Sequence, residues 1–142
     1  MEIVRRQFRN GDPARPLRHG ARSALREASG EHGDAEWIDD VLIVISELVQ
    51  NVTQHTHSPG ELVVSVEPGM VLVEVGDGDT TTPVSPSPDA LGAGGRGLLL
   101  IAAVSRQWGV RTCPRGKVVW ARLPTIAGPG EPPVRTRGDY AA

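Results

Sequence analysis

The hydrophobic positions of this chain change period several times, and each change marks a predicted element. Residues 2–9 alternate weakly, which predicts a short edge strand. Asp12 and Pro13 are typical of a helix start, with Asp12 as the N-cap and Pro13 at the first helical position. An apolar stripe with helical spacing follows, formed by Leu17, Ala21, Ala24, Leu25 and Ala28. Ser29-Gly30 is expected to end this helix.

The first helix carries a row of arginines opposite its apolar stripe. The row consists of Arg15, Arg18, Arg22 and Arg26. Such a row usually forms a solvated helix face, although it could also dock an acidic partner. The pattern alone leaves both interpretations open.

The longest helical pattern runs from about Ala35 to His57 and is the central element of the chain. Its apolar stripe consists of Ile38, Val41, Leu42, Ile45, Leu48, Val49 and Val52. Glu47, Asn51 and His55 lie four residues apart, which predicts a second stripe away from the core. A carboxylate, an amide and an imidazole in one column could bind a hydrated cation and move a proton. A solvated helix face would show the same pattern.

Strand patterns fill most of the second half of the chain. Glu61–Glu67 and Met70–Val75 are β-branched and apolar, and Pro68-Gly69 between them favours a tight turn. Leu98–Val104 has a helical pattern. Trp108–Cys113 and Lys117–Leu123 predict a closing antiparallel pair. We therefore predict one domain over residues 1–124, followed by a flexible tail over 125–142 that is rich in Pro and Gly.

Asp77 follows the second of these strands and is a candidate ligand-binding residue. A carboxylate at a strand end can accept a hydrogen bond from an exocyclic amine such as that of adenine, and a flanking glycine lets the ligand approach the backbone. The sequence Asp77-Gly78 is also common in ordinary turns. The loop after it, Thr80–Gly94, has no periodic apolar pattern, and loops of this length are often functional.

The glycine-rich stretch from Gly92 to Gly97 comes immediately before a predicted helix. Glycines expose backbone N–H groups, and a helix N-terminus favours phosphate, so the stretch is typical of an anion-binding loop. Arg96 could add a charge-assisted contact. A flexible hinge would have the same composition, and no Gly-Lys-Ser/Thr follows as in a Walker A loop.

Composition excludes several classes of protein. The net charge of −2 argues against a nucleic-acid binder held by phosphate contacts. No apolar run approaches the roughly 18 residues that span a bilayer, and the N-terminus lacks the apolar segment of a signal peptide. The single cysteine, Cys113, permits no intrachain disulfide. We therefore expect a cytoplasmic protein without a membrane segment.

The motifs and their order resemble the GHKL ATPases, which have the Bergerat ATP-binding fold. More narrowly, they resemble the anti-sigma-factor serine/threonine kinases of bacteria. Glu47–His55 is similar to the N box of that family, Val73–Asp77 to its first glycine box, and Gly95–Ile101 to its second. Residues 108–110 and 116–120 resemble the closing strands. The resemblance covers residues 12–124.

The resemblance implies a fold and a set of site residues. The fold is an α/β two-layer sandwich whose mixed, mainly antiparallel sheet is covered on one face by three helices. Asn51 would bind Mg²⁺ bridging the ATP phosphates, Glu47 would act as the general base or orient the attacking hydroxyl, and Asp77 would bind the adenine amine. The remaining nucleotide-binding positions would be His55, Gly78, Gly95, Arg96, Gly97, Leu98 and Lys117. Asp79 departs from the Asp-x-Gly form of the first glycine box.

The function implied by the resemblance is a Mg²⁺- and ATP-dependent serine/threonine protein kinase. It would phosphorylate a small antagonist protein, sequester a sigma factor and form a homodimer, without binding nucleic acid directly. Two alternatives stay open: a non-catalytic switch in which ATP or ADP occupancy controls a protein-binding surface, and a stand-alone histidine-kinase-like ATPase module.

Overall fold

The computed structural model describes residues 1–30, 36–55, 59–77, 101–114, 116–125 and 136–137. The elements in these residues are β1 (Glu2–Phe8), α1 (Arg15–Ser29), α2 (Glu36–His55), β2 (Gly60–Glu67), β3 (Met70–Asp77), β4 (Gln107–Cys113), β5 (Gly116–Pro124) and β6 (Thr136–Arg137). Residues 101–104 are also helical.

The strands form one mixed sheet with the order β1-β2-β3-β5-β4-β6. Every neighbouring pair is antiparallel except β4 and β6, which are parallel. The helices pack on one face, so the predicted α/β two-layer sandwich with a mainly antiparallel sheet is confirmed. β1 lies at the edge, as its weak alternation predicted.

Alternation along the strands produces the two faces of the sheet. In β3 and β5 every second residue is buried, and the register places Val71 opposite Leu123, Val73 opposite Ala121 and Val75 opposite Val119. These side chains share one face because side chains alternate across a strand. They meet the apolar stripe of α2, whose seven predicted core positions are all buried. Ile101 joins the same core.

The start of α1 differs from the prediction. Asp12 does not cap the helix: Ala14 is the N-cap residue, and it makes no side-chain hydrogen bond. Instead the Asp12 carboxylate accepts a hydrogen bond of 2.7 Å from the backbone N–H of Arg9. Gly11 between them has φ +90°, a conformation that glycine adopts without strain. The Asp12 side chain, which was predicted to cap the helix, therefore stabilises the turn before it.

The arginine row of α1 is also not uniformly solvated. Arg18 donates a hydrogen bond of 3.0 Å to the Ser46 hydroxyl, and Arg22 lies 3.6 Å from the Asp39 carboxylate. Both contacts tie α1 to α2. The other end of α1 follows the prediction, since Gly30 has φ +70° and its N–H bonds to the Arg26 carbonyl.

The hairpin turn at Pro68-Gly69 is confirmed, with Gly69 at φ +72°. The two-residue strand β6 had no signal in the sequence pattern. The division into a domain over 1–124 and a flexible tail over 125–142 stays a prediction, because most of the tail lies outside the described residues. Among the helices that the structure describes, none is long and apolar enough to cross a membrane.

Candidate functional site

Three buried polar residues lie at one end of the sandwich. Asn51, Asp77 and Lys117 are 7%, 8% and 8% exposed. Asp77 pairs across the sheet with Gly60 on one side and Lys117 on the other. Only residues 56–59 connect α2 to Gly60. The five residue steps from His55 to Gly60 span at most about 18 Å. The end of α2 therefore lies at the same end of the sheet as Asp77 and Lys117.

Asn51 lies closer to the core than the sequence predicted. Its position in α2 puts it on the same side as Leu48, one turn earlier, and Val44, two turns earlier, and both of these are fully buried. The apolar arc of α2 is therefore wider than the predicted stripe, which had omitted Val44. Asn51 borders this arc and does not lie on a separate solvated face.

The Asn51 amide is a buried polar group in need of a partner. Its Nδ2 atom makes no hydrogen bond within the described residues. The amide nitrogen and oxygen can exchange places by rotation, so either atom could occupy this position. Leaving such a group unsatisfied costs about 1–3 kcal/mol. A ligand or a cation at this position would remove that cost.

Glu47 precedes Asn51 by one helical turn and is half-buried. Its carboxylate makes no hydrogen bond or ion pair with any other described residue. Both oxygens are therefore able to accept a proton or a hydrogen bond. The structure thus brings a half-buried carboxylate and a buried amide together on one side of α2.

Asp77 and Lys117 form an ion pair on the helix-covered face. Their Cα atoms are partners in the β3–β5 register, and Lys117 Nζ lies 3.9 Å from Asp77 Oδ2. The exposed fractions of their side chains are 10% for Lys117 and 0% for Asp77. Lys117 is in phase with the buried residues Val119 and Ala121. The sequence already contained a signal for the Asp77–Lys117 pair, because Lys117 occupies an inward position of a strand.

Phe8 and Gly60 border the same end of the sheet, and sequence reasoning gave neither a role. Phe8 pairs with Gly60, which in turn pairs with Asp77. A Cβ atom added at Gly60 would overlap the Phe8 ring. The glycine therefore leaves room for an aromatic ring one strand away from the Asp77 carboxylate.

Gly76, one of the two glycines that flank Asp77, makes no close contact that requires a glycine at this position. It lies on the opposite face from Asp77, because side chains alternate along a strand. A Cβ atom there would meet Val118 Cγ2 at 3.5 Å and the Lys117 carbonyl at 3.6 Å, which are ordinary contacts. The other flanking glycine, Gly78, lies outside the described residues.

Several predicted site residues cannot be placed. The loop Thr80–Gly94, Asp79 and the second glycine box with Gly95, Arg96, Gly97 and Leu98 lie outside the described residues. His55 is the last residue of α2, but its side chain is outside the description too. Their roles stay predictions. Of the predicted set, the structure pairs Asp77 with Lys117 across the sheet and places Glu47 and Asn51 on one side of α2, which ends at the same end of the sandwich.

A comparison with known families identifies the domain. The model of the histidine kinase-like ATPase domain matches residues 11–123, which is most of the chain. The chain belongs to the histidine kinase-like ATPase family. The match confirms the GHKL resemblance and assigns ATP binding to the domain. No curated protein matches the chain at a significant level.

The site residues fit the nucleotide and metal that this ATPase family implies. Mg²⁺ takes oxygen ligands and keeps several waters, so one amide oxygen together with phosphate oxygens is a suitable ligand set. The buried Asn51 amide can supply that oxygen. Within the described residues there is no group of three or more His, Cys, Asp or Glu residues able to hold a metal ion. A magnesium site here would therefore depend on the phosphates.

Proposed function

We propose that the protein is a Mg²⁺- and ATP-dependent serine/threonine protein kinase of the anti-sigma type. It phosphorylates a small antagonist protein and sequesters a sigma factor, and it acts in the cytoplasm as a homodimer. The observation that carries the kinase part is the arrangement of Glu47 and Asn51 on one side of α2. The regulatory partners and the dimer rest on the resemblance to anti-sigma kinases.

The two residues have separate tasks in this proposal. Asn51 holds Mg²⁺, which neutralises phosphate charge when bound. Glu47 accepts the proton of the substrate hydroxyl while the hydroxyl oxygen forms a bond to the γ-phosphorus. The bond from that phosphorus to its bridging oxygen breaks, and ADP leaves. Phosphoryl transfer depends mainly on positioning and charge neutralisation, so few protein groups are needed.

The accessibility of Glu47 supports the role of base. A general base has to reach a hydroxyl on a second protein, which a fully buried carboxylate cannot do. Glu47 is half-buried and has no competing cation among the described residues. Asn51, which only has to meet a small ion, is more deeply buried.

The test is transfer of labelled phosphate from ATP to candidate antagonist proteins. We expect Glu47→Gln to keep ATP binding and to lower transfer by roughly a hundredfold or more, as loss of a general base does. Glu74→Gln is the matched control, because Glu74 is a half-buried carboxylate on the other face of the sheet. It should retain native transfer.

Two outcomes would overturn the proposal in different ways. Native protein that binds ATP and transfers no phosphate to any serine- or threonine-bearing antagonist would be a non-catalytic switch. Transfer by Glu47→Gln at the native rate would mean that Glu47 is not the base.

A further inference from the structure

Lys117 has hydrogen-bonding capacity that the described chain does not use. A lysine ammonium has three donors. Its one polar partner within the described residues is Asp77, and the separation of 3.9 Å exceeds the 2.7–3.2 Å of an N–H···O hydrogen bond. The side chain as a whole is nonetheless largely removed from solvent, with 10% of it exposed.

Burial of the Lys117 side chain has no packing reason. The neighbouring inward positions of β5 hold Val119 and Ala121, and an apolar residue at position 117 would continue that pattern without the desolvation of a charge. The chain has 15 Lys and Arg residues, and Lys117 is the one lysine among them. Lysine is a compact point charge, whereas arginine carries a broad planar fork. A compact cation at a buried position is what a small, defined acceptor requires.

The position next to Asp77 indicates which acceptor this is. In the site implied by the family resemblance, the Asp77 carboxylate accepts a hydrogen bond from the exocyclic amine of adenine. The ring nitrogen beside that amine, N1, is an acceptor, and a carboxylate cannot serve it. Lys117 is the cross-strand partner of Asp77 and has donors to spare. The two side chains together match the donor and acceptor on this edge of adenine.

We propose that Lys117 is a specificity-determining residue that donates a hydrogen bond to N1 of adenine. This inference rests on the proposed role of Asp77 at the exocyclic amine. Asp77 accepts one hydrogen bond from adenine, and Lys117 donates a second one to it. Guanine has a carbonyl at the position of the amine and an N–H at N1, so it would place an acceptor against Asp77 and a donor against Lys117.

The experiment changes the ligand first, which leaves the protein intact. Binding of ATP and of 1-deaza-ATP, which has a C–H in place of N1, is measured by titration calorimetry on the native protein. We expect 1-deaza-ATP to bind roughly tenfold more weakly or worse, the usual effect of losing a hydrogen bond to a charged group. Equal affinities for the two nucleotides would overturn the role of Lys117.

The protein is then changed as well. Lys117→Met should bind ATP about as weakly as the native protein binds 1-deaza-ATP, and it should no longer distinguish the two ligands. Arg122→Met removes a cation from the same strand on the other face, where Arg122 lies 5.6 Å from the Trp120 ring centroid, and it should keep the native preference. A Lys117→Met variant with the full native preference would contradict the proposal.

Binding measurements with further nucleotides distinguish failure of the Lys117 role from failure of the Asp77 role or of ATP binding itself. Purine riboside triphosphate lacks the exocyclic amine and keeps N1, so its weakened binding reports on Asp77 independently. Tighter binding of GTP than of ATP would mean that the pair reads guanine, which overturns the proposal. Native protein that binds no adenine nucleotide would remove the proposed function and the inference together. If Lys117→Met does not fold by circular dichroism, the ligand arms on native protein decide.

Discussion

Two ion pairs that join different strands, one on each face of the sheet, differ in distance and in burial. On the open face, Arg111 and Glu74 approach to 2.7 Å, with side chains 47% and 22% exposed. On the helix-covered face, Lys117 and Asp77 are 3.9 Å apart and 10% and 0% exposed. The pair with the shorter distance is the more exposed of the two.

Distance alone would rank these pairs in the wrong order. An exposed ion pair contributes about 0–1 kcal/mol to stability, because water screens the charges and the side chains lose freedom. Removing one partner of a buried pair costs about 3–5 kcal/mol, since a charge is left without compensation. The open-face pair is therefore a minor feature of the surface. The buried pair is retained at a site where its remaining donors can meet a ligand.

The largest expected effect concerns Asn51, the buried polar residue of α2. We predict that Asn51→Ala abolishes Mg²⁺-dependent binding of ATP while the fold persists, because alanine provides no oxygen for the cation. Gln50→Ala is the control, since Gln50 is the exposed neighbour in the same helix. ATP binding in the presence and absence of Mg²⁺ can be measured by competition with a fluorescent nucleotide. Native affinity of Asn51→Ala in Mg²⁺ would rule out the metal role.

A second, smaller effect compares the two acidic residues of β3 directly. We predict that Asp77→Asn weakens ATP binding roughly tenfold to a hundredfold and relaxes discrimination against GTP, because an amide can also donate to the guanine carbonyl. Glu74→Gln makes the same chemical change on the other face and should leave both affinities within about twofold. The measurement is a pair of titrations, with ATP and with GTP, for each variant. If both variants behave as the native protein does, Asp77 is only a strand-end residue.

Two glycines extend the comparison to packing. Gly60→Ala should destabilise the protein by about 1–3 kcal/mol, because the added methyl group would overlap the Phe8 ring. Gly76→Ala should stay within about 0.5 kcal/mol, since its Cβ would make ordinary contacts on the open face. Urea unfolding of both variants tests the difference. Equal stabilities would show that Phe8 moves without cost.

The smallest effect concerns Asp40, a partly buried carboxylate that has no ion pair with a lysine or arginine among the described residues. Burial raises the pKa of Asp40 above its usual range, and the charges of Glu36 and Asp39 raise this pKa further. Folding therefore favours the protonated form. The contribution of protonated Asp40 to the stability of the fold is fully present below the unfolded pKa of about 3.9. It is lost as pH rises through the higher folded pKa.

Replacing Asp40 removes this charge. Asp40→Asn should stabilise the protein at pH 7 by less than about 0.5 kcal/mol, because solvent screens much of the repulsion. The gain should disappear near pH 3, where the carboxyl is protonated in both states. Denaturant unfolding at the two pH values measures it, with Asp39→Asn as a more exposed comparison. A gain that is the same at both pH values would exclude titration of Asp40 as its cause.

The fold could be predicted from the sequence wherever neighbouring residues define the pattern. The β2–β3 and β4–β5 hairpins follow from apolar, largely β-branched runs with a glycine at each turn, and all seven stripe positions of α2 are buried. Asp12 was assigned wrongly because two local hydrogen bonds compete for its side chain. It binds the Arg9 amide in a turn and leaves the helix uncapped.

The site was less predictable because its contacts join residues far apart in the chain. Asp77 meets Lys117, and Phe8 lies over Gly60, only after the sheet register is set. Each residue gives only a weak signal by itself. The burial of Asn51 was not predicted because the predicted stripe omitted Val44 and so underestimated the width of the buried arc of α2.

The central claim is that Asn51, Asp77 and Lys117 mark a site for Mg²⁺-ATP at one end of the sheet. Titration calorimetry of the native protein with ATP and ADP, each with and without Mg²⁺, tests it most directly. We predict that both nucleotides bind and that Mg²⁺ strengthens ATP binding more than ADP binding, because the γ-phosphate supplies additional oxygen ligands. Absence of binding for both nucleotides in the presence of Mg²⁺ would contradict the claim.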